Sequence, residues 1–140
     1  MSTVLVIVDM QHMYNAARDA ELILRVEKAL RRELPPCPDV AVLICNDGSG
    51  QLTVHRPSGV PVVWKNESDG GTYLYAFLLG MGVINRELRV LIGGVNMSQC
   101  VYRTATGLAA RLAEEHGLTD NVTIVRDLCG DGEQYVVRFE

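Results

Sequence analysis

The chain has 140 residues, of which 48% are hydrophobic and 21% charged, and its formal net charge at pH 7 is −4. This length predicts a single domain over residues 1–140, with a core large enough to fold without disulfides or a structural metal. Because the charge balance is acidic, the composition gives no reason to expect a nucleic-acid partner.

The four cysteines are widely spaced, with no CxxC pair and no cysteine–histidine cluster at the spacing of a zinc site. They are Cys37, Cys45, Cys100 and Cys129. The N-terminus enters a strand-like run without the basic region of a signal peptide, and no apolar stretch approaches the roughly 18 residues of a membrane span. We therefore expect a reduced, cytoplasmic protein without a membrane segment.

The first predicted strand covers residues 3–8, a continuous β-branched and leucine run. Such a run is typical of a central parallel strand that is buried on both faces. Asp9 follows at its carboxyl end. One interpretation gives Asp9 a chemical role, and the other makes it a turn former or helix cap.

A helix and a second strand come next. Asp19 is a plausible N-cap for a helix that runs to Leu34 and is stopped by Pro35 and Pro36. Residues 40–44 form the second strand, which leads into a polar loop.

The third predicted strand covers residues 60–64 and ends at Lys65. The loop after it is rich in glycine, and a helix over residues 72–79 returns across the sheet. Lys65 is either a surface lysine at a strand end or a functional cation.

The fourth strand, residues 88–92, meets Gly93 and Gly94 and is followed by a helix that runs to about Gly117. Residues 122–125 form a fifth strand that ends at Asp127. Residues 135–139 form a sixth, edge strand.

Cys100 falls in the first turn of the helix after the fourth strand. The paired glycines allow close approach of the backbone, and the N–H groups at a helix start favour negative charge. Thiols in such settings can have pKa values of roughly 3.5–7.5, against about 8.5 for a free cysteine. The alternative is that Cys100 is a small core hydrophobe.

Strands that alternate with helices predict an α/β fold: a three-layer α/β/α domain with a mainly parallel sheet. Ligands of such sheets bind beyond the carboxyl ends of the strands. Asp9, Lys65 and Cys100 all fall at carboxyl ends, on three different strands. The topology therefore brings an acid, a cation and a thiol to one edge of the sheet.

Three segments resemble the signatures of the isochorismatase-like cysteine hydrolases, a superfamily that includes nicotinamidases and N-carbamoylsarcosine amidohydrolases. They are residues 6–11 (VIVDMQ), residues 64–65 (WK) and residues 93–101 (GGVNMSQCV) with Thr104-Ala105 after it. The resemblance implies the strand order 3-2-1-4-5-6 and a catalytic triad of Asp9, Lys65 and Cys100. It also implies a cis peptide before Asn96 and an oxyanion hole formed by the backbone N–H groups of Asn96 and Cys100.

This resemblance implies a hydrolase of a C–N, amide-type bond in a small molecule, with a thioester intermediate and no cofactor. Tyr14, Trp64 and Tyr102 are candidate walls of the substrate pocket, although aromatic residues at strand ends also serve as packing. The chain is shorter than is usual for the family. We therefore expect an open pocket or one completed by a second subunit, as in a homo-oligomer.

One family feature is missing. Nicotinamidases resemble one another in an Asp-x-His metal motif after the second strand, where this chain has Asn46-Asp47-Gly48-Ser49. Asp47 and His55 alone would make a weak metal site, so we predict no bound metal.

Other functions stay open at this stage. The chain could be a catalytically silent relative that binds or regulates through a small molecule, or an isochorismate-type vinyl-ether hydrolase that does not need the cysteine. Cys100 could also act as a thiol sensor, although no second cysteine lies near it in sequence.

Overall fold

The sheet is the centre of the architecture. The computed structural model describes residues 2–35 and 37–132. Within them, five strands form one sheet in the order β3-β2-β1-β4-β5, with every neighbouring pair parallel. The strands are β1 (Thr3–Val8), β2 (Val40–Asn46), β3 (Val62–Lys65), β4 (Arg89–Gly94) and β5 (Val122–Cys129). The predicted α/β class and the order of these strands are confirmed, and the predicted sixth strand lies outside the described residues.

The helices form the outer layers. They are α1 (Ala20–Leu30), α2 (Gly71–Met81) and α3 (Tyr102–His116), with a 3-10 turn at Asn15–Arg18 and a π-helical turn at Met97–Val101. No helix in the described part of the chain is both long and apolar enough to span a membrane.

Strand β1 shows how the two cores arise. Val4, Val6 and Val8 face the cluster that includes residues of α2 and α3, whereas Leu5 and Ile7 face the cluster that includes residues of α1. Successive side chains of a strand point to opposite faces, so an unbroken apolar run buries both. The sequence pattern of β1 therefore explains its central position.

Helix α1 begins as predicted and ends early. The Asp19 carboxylate accepts hydrogen bonds from the N–H groups of Glu21 and Leu22, at 2.9 and 3.5 Å. The helix ends at Leu30 rather than residue 34, because Arg32 adopts a left-handed backbone with φ 63°. The chain thus leaves the helix before it reaches its prolines.

Several other boundaries differ from the prediction. Strand β3 is shifted to Val62–Lys65, and helix α2 continues through Gly80 until Gly82, with φ 68°, ends it. Strand β5 runs to Cys129, so Asp127 lies inside the strand rather than at its end. The pairing of β4 with β5 is irregular between Ile92 and Gly94, which lets β5 continue past the predicted stop.

The segment around Cys100 differs from the prediction, which placed this residue in the first turn of an α-helix. The Val101 N–H donates to the Asn96 carbonyl, five residues back, at 3.2 Å. This is the bonding of a π-helical turn, and α3 begins only at Tyr102. Such turns are frequent at functional sites.

Helices α2 and α3 touch through glycines. A Cβ on Gly71 would lie 2.7 Å from the Leu108 nitrogen and 2.8 Å from the Gly107 carbonyl carbon. Both neighbours are backbone atoms, which cannot rotate away. The close approach therefore requires glycine at position 71, whereas Gly80, in the same helix, has open space around it.

We predict opposite effects for two alanine substitutions in α2. Gly71→Ala should lower the free energy of unfolding by about 1–3 kcal/mol, because the added methyl overpacks the contact with α3. Gly80→Ala should raise it by about 0.5–1 kcal/mol, because alanine favours helix and meets no neighbour. Urea denaturation of both variants measures the difference, and equal effects would contradict the close contact.

Candidate active site

Asp9 follows directly after β1 in a strained conformation. Its φ is 54°, in the left-handed region that non-glycine residues rarely adopt, and its N–H donates to the Ile44 carbonyl at 2.8 Å. Its side chain is fully buried. Strain of this kind costs about 1–3 kcal/mol and clusters at functional sites.

Lys65 reaches Asp9 across an intervening strand. Strand β2 lies between β3, which carries Lys65, and β1. Neighbouring strands are about 4.8 Å apart, so the lysine must span about two such spacings with its long stem. Its Nζ lies 3.1 Å from Asp9 Oδ2, with both side chains 0% exposed, and also donates to the Glu67 carbonyl at 2.9 Å. The two predicted residues form a buried ion pair.

The other carboxylate oxygen of Asp9, Oδ1, is buried and has no hydrogen-bond partner among the described residues. Burial raises the pKa of Asp9 above its ordinary value near 3.8, while the Lys65 charge acts in the opposite direction. Asp9 is thus a carboxylate with a raised affinity for a proton and one oxygen available to take it.

Cys100 lies beside this pair. Gly94 brings the two segments together: its φ is 113°, and a Cβ there would collide with the backbone of Val8. Cys100 is 8% exposed, and its thiol interacts with the Asp9 carboxyl. Asp9 Oδ1 nevertheless accepts no hydrogen bond from the described residues. The structure therefore brings the predicted acid, cation and thiol together.

The ionisation of Cys100 differs from the expectation. Burial, and then the nearby charge of Asp9, raise the pKa of the Cys100 thiol to about 11, and Lys65 and the Ser68 hydroxyl only partly oppose this. The expected thiolate-favouring environment is wrong for the resting protein, because desolvation penalises the charged sulfur. At neutral pH the thiol holds its proton and needs a base to remove it.

The loop after β4 carries Asn96. The Val95–Asn96 peptide is cis, as the resemblance implies. Asn96 is 2% exposed, and its Oδ1 accepts a hydrogen bond from Gly132 N–H at 2.9 Å. Met97 N–H donates to the Gly130 carbonyl at 2.9 Å. The loop is thus tied to the segment after β5, and the oxyanion hole of Asn96 and Cys100 stays a prediction.

Gln11 fixes the loop after β1, a role that the sequence analysis missed. Its Nε2 donates to the carbonyls of Asn46 and Gly50, at 2.9 and 3.0 Å, and its Oε1 accepts from Asn46 N–H at 2.8 Å. The amide is fully buried and all three bonds are to backbone. Gln11 belongs to residues 6–11, one of the segments that carry the resemblance. Its partners lie 35 and 39 residues away, so the local sequence does not indicate these bonds.

The three candidate aromatic residues are placed differently. The Tyr14 hydroxyl accepts from Asn46 Nδ2 at 3.1 Å and shares a 3.0 Å hydrogen bond with Ser49. Trp64 is 54% exposed and, as the neighbour of Lys65 in β3, faces the opposite side of the sheet. Tyr102 is 56% exposed at the start of α3. Their role in substrate binding stays a prediction.

The two candidate metal ligands are bound to different elements. Asp47 N–H donates to the Lys65 carbonyl at 2.7 Å, whereas His55 N–H donates to a carboxylate oxygen of Glu27, in α1, at 2.6 Å. Within residues 2–35 and 37–132, no three histidine, cysteine, aspartate or glutamate side chains are grouped as a metal site.

Removing one partner of the buried ion pair should be strongly destabilising. Lys65→Met should lower the free energy of unfolding by about 3–5 kcal/mol near pH 8, because it leaves the Asp9 carboxylate buried without a counter-charge. Lys65 lowers the pKa of Asp9, so removing it raises that pKa further above the ordinary value, and the variant takes up the Asp9 proton at a higher pH than the wild type does. The loss should therefore shrink as the pH falls and Asp9 becomes protonated.

The double variant Asp9→Asn/Lys65→Met is the matched control, since it removes both charges. It should be more stable than Lys65→Met alone near pH 8 in urea denaturation. A loss for Lys65→Met that does not change with pH, or that the second substitution does not relieve, would contradict the ion pair.

No protein-family model matches the chain, and no curated protein matches it. Solved structures do. An isochorismatase-like hydrolase from Alkaliphilus metalliredigens superposes with a TM-score of 0.72 at 16% identity, over 99% of this chain and 87% of its own. For N-carbamoylsarcosine amidase from Thermoplasma acidophilum, the TM-score is 0.68 at 20% identity, over 99% of this chain and 92% of its own.

A third structure with the same fold is named for a different activity. The MAR1 ribonuclease from Caenorhabditis elegans superposes with a TM-score of 0.64 at 16% identity, over 99% of this chain and 69% of its own. All three identities are low, so the likeness concerns the fold. The chain has the fold of the isochorismatase-like hydrolases.

Proposed function

We propose that this protein is a cysteine hydrolase that cleaves a C–N, amide-type bond of a small molecule through a thioester on Cys100. The observation that carries the proposal is the buried Asp9–Lys65 ion pair beside the thiol, with Asp9 Oδ1 unpartnered. The fold supports the proposal, and so does the position of these residues at the carboxyl edge of a parallel sheet. The proposed reaction needs no cofactor or metal.

In the first step, Asp9 removes the proton from Cys100 Sγ, and the sulfur attacks the amide carbonyl carbon. An S–C bond forms and the carbonyl π electrons move to oxygen. The raised pKa of Asp9 suits it to this role, because a general base is most effective when its pKa lies near the pH at which it works. The proposed donors to the oxyanion are the backbone N–H groups of Asn96 and Cys100.

In the second step, the C–N bond breaks and Asp9 gives its proton to the departing nitrogen. Water, deprotonated by Asp9, then attacks the thioester carbon, and the C–S bond breaks. The proton that Asp9 took from water returns to the sulfur. The products are a carboxylic acid and an amine or ammonia.

Lys65 stabilises the negative charge as it moves between oxygen and sulfur. Its charge lowers the pKa of both Asp9 and Cys100, so it favours the ionised form of each. The titrations of the two are coupled, and the proton is shared between them. Lys65 therefore keeps one negative charge on the pair without fixing which atom carries it.

We propose that the protein is a cytoplasmic homo-oligomer and that its substrate is a small molecule. Tyr14, Trp64 and Tyr102 are the proposed aromatic residues near the substrate. Two of them are more than half exposed, which suits an open pocket or one completed by a neighbouring subunit.

Three other functions make different predictions. A vinyl-ether hydrolase would keep its activity without Cys100, and a ribonuclease would degrade RNA, which the acidic net charge of −4 does not favour. A silent binding protein would be stabilised by its ligand without forming product.

We predict that the protein releases ammonia or an amine from members of a panel of small primary amides and N-carbamoyl compounds. Cys100→Ala and Asp9→Asn should each reduce kcat/KM by about a thousandfold or more, because each removes a group that takes part in bond formation. Quantification of the amine and the acid product together measures turnover.

Cys37→Ser is the matched control, since Cys37 is an exposed cysteine on the loop before β2. It should leave turnover unchanged. Activity that survives Cys100→Ala, or degradation of RNA in place of amides by the wild type, would overturn the proposed function.

A further inference from the structure

Gly70 lies between Lys65 and helix α3, at the end of the loop between β3 and α2 (residues 66–70). A Cβ on Gly70 would lie 3.2 Å from Lys65 Cδ and 3.0 Å from Thr104 Oγ1. Both distances are shorter than an ordinary van der Waals contact. The Gly70 backbone is therefore packed against the stem of the lysine on one side and against α3 on the other.

The same loop also contacts the charged end of Lys65. The ammonium Nζ donates to the Glu67 carbonyl at 2.9 Å, in addition to its contact of 3.1 Å with Asp9 Oδ2. Strand β3 lies at an edge of the described sheet, and lysine has a long, flexible stem. The direction in which the ammonium points therefore depends on the loop, which contacts Lys65 at Gly70 and at Glu67.

Thr104 ties this loop to the helix that follows Cys100. Its Oγ1 accepts a hydrogen bond from Gly70 N–H at 2.9 Å, across 34 positions of sequence, and Thr104 is fully buried. Thr104 lies four residues after Cys100, in α3, which begins where the π-helical turn that contains the cysteine ends. The bond thus connects the segment that carries the proposed nucleophile to the loop that holds Lys65.

We infer that Thr104 is a positioning residue: by holding Gly70, its hydroxyl keeps the Lys65 ammonium in place between Asp9 and the Glu67 carbonyl, beside Cys100. The inference deepens the proposed function and rests on it. The Thr104 hydroxyl is bonded to the backbone of the loop, so it acts through the loop and not on the substrate.

The position of Lys65 matters because its charge favours the thiolate. Among the described residues, the charged groups that interact with Cys100 are Asp9, after β1, and Lys65, in β3. Asp9 raises the pKa of the thiol and Lys65 lowers it. Coulombic attraction weakens with distance, so a displaced ammonium stabilises the thiolate less. Loss of the Thr104 hydroxyl would leave the Gly70 N–H buried without its acceptor, which favours such a displacement.

The test is the rate of Cys100 alkylation by iodoacetamide near pH 8, with the modified peptide identified by mass spectrometry. At this pH the rate depends on the small fraction of thiolate. Thr104→Val should raise the pKa of the thiol by about one unit and slow alkylation about threefold, because a more basic thiolate is also a better nucleophile. A general loosening of the fold should have the opposite effect, since it exposes the buried thiol to the reagent.

Three further variants test the role of the hydroxyl. Thr104→Ser keeps it and should restore most of the wild-type rate. Thr104→Ala removes it without placing a methyl group against Gly70, and should slow alkylation as valine does. Thr106→Val is the matched control, because Thr106 is exposed on the same helix and its Oγ1 donates only locally, to the carbonyls of Tyr102 and Arg103. It should leave the rate unchanged.

The double variant Asp9→Asn/Lys65→Met shows whether the effect passes through Lys65. In this background no charge remains for the loop to position, so adding Thr104→Val should not slow alkylation. The same slowing in this background would overturn the inference. So would a rate for Thr104→Val that equals or exceeds the wild-type rate when the ion pair is present, or a Thr104→Ser rate as low as that of Thr104→Val.

The alkylation rates need no substrate, so the inference and the proposed function can fail separately. If amide turnover is absent from every protein while Thr104→Val slows alkylation only when Lys65 is present, the positioning role stands and the proposed function does not. With an active substrate, Thr104→Val should lower kcat by about tenfold with little change in KM, because a misplaced charge affects the reaction more than binding. A loss confined to KM would contradict the positioning role.

Discussion

The ion pair between Asp9 and Lys65 is the interaction on which the candidate site depends. Two charges with no exposed side-chain surface are costly to bury, and their mutual contact and the second hydrogen bond of Lys65 to the Glu67 carbonyl offset part of this cost. The pair joins strands that are not neighbours, so it also fixes how the ends of β3 and β1 lie relative to each other. The same burial raises the pKa of Asp9, so it affects both the stability of the ion pair and the capacity of Asp9 to act as a base.

The loops that follow the strands hold this pair against the thiol. Gln11 ties the loop after β1 to the loop after β2, and Asn96 ties the loop after β4 to the segment after β5. Thr104 holds the loop between β3 and α2, residues 66–70, through Gly70. Each tie is a side-chain bond to backbone from a buried residue, the kind of contact that restricts a loop to one arrangement. Side chains of the protein itself therefore hold the loops that carry the proposed nucleophile and base.

The sequence predicts the fold better than the details of the site. The unbroken apolar run of β1 and the positions of Asp9, Lys65 and Cys100 after separate strands are local patterns, and they were enough to place all three at one edge. The end of α1 depends on a left-handed turn at Arg32, and the hydrogen bonds of Gln11 reach backbone groups 35 and 39 residues away, so neither follows from local pattern. The ionisation of Cys100 was predicted with the wrong sign, because the position of a thiol after glycines does not reveal how deeply it is buried.

In the proposed function, Asp9 is the base that takes the proton of Cys100. The most direct test of their interaction is the pH midpoint of Cys100 alkylation in the wild type and in Asp9→Asn. We expect a wild-type midpoint well above the value of about 8.5 for a free cysteine, since burial and Asp9 raise the pKa of the thiol to about 11. In Asp9→Asn the midpoint should fall, because the negative charge that opposes the thiolate is gone while Lys65 remains. A wild-type midpoint at the ordinary value, unchanged by Asp9→Asn, would contradict the account.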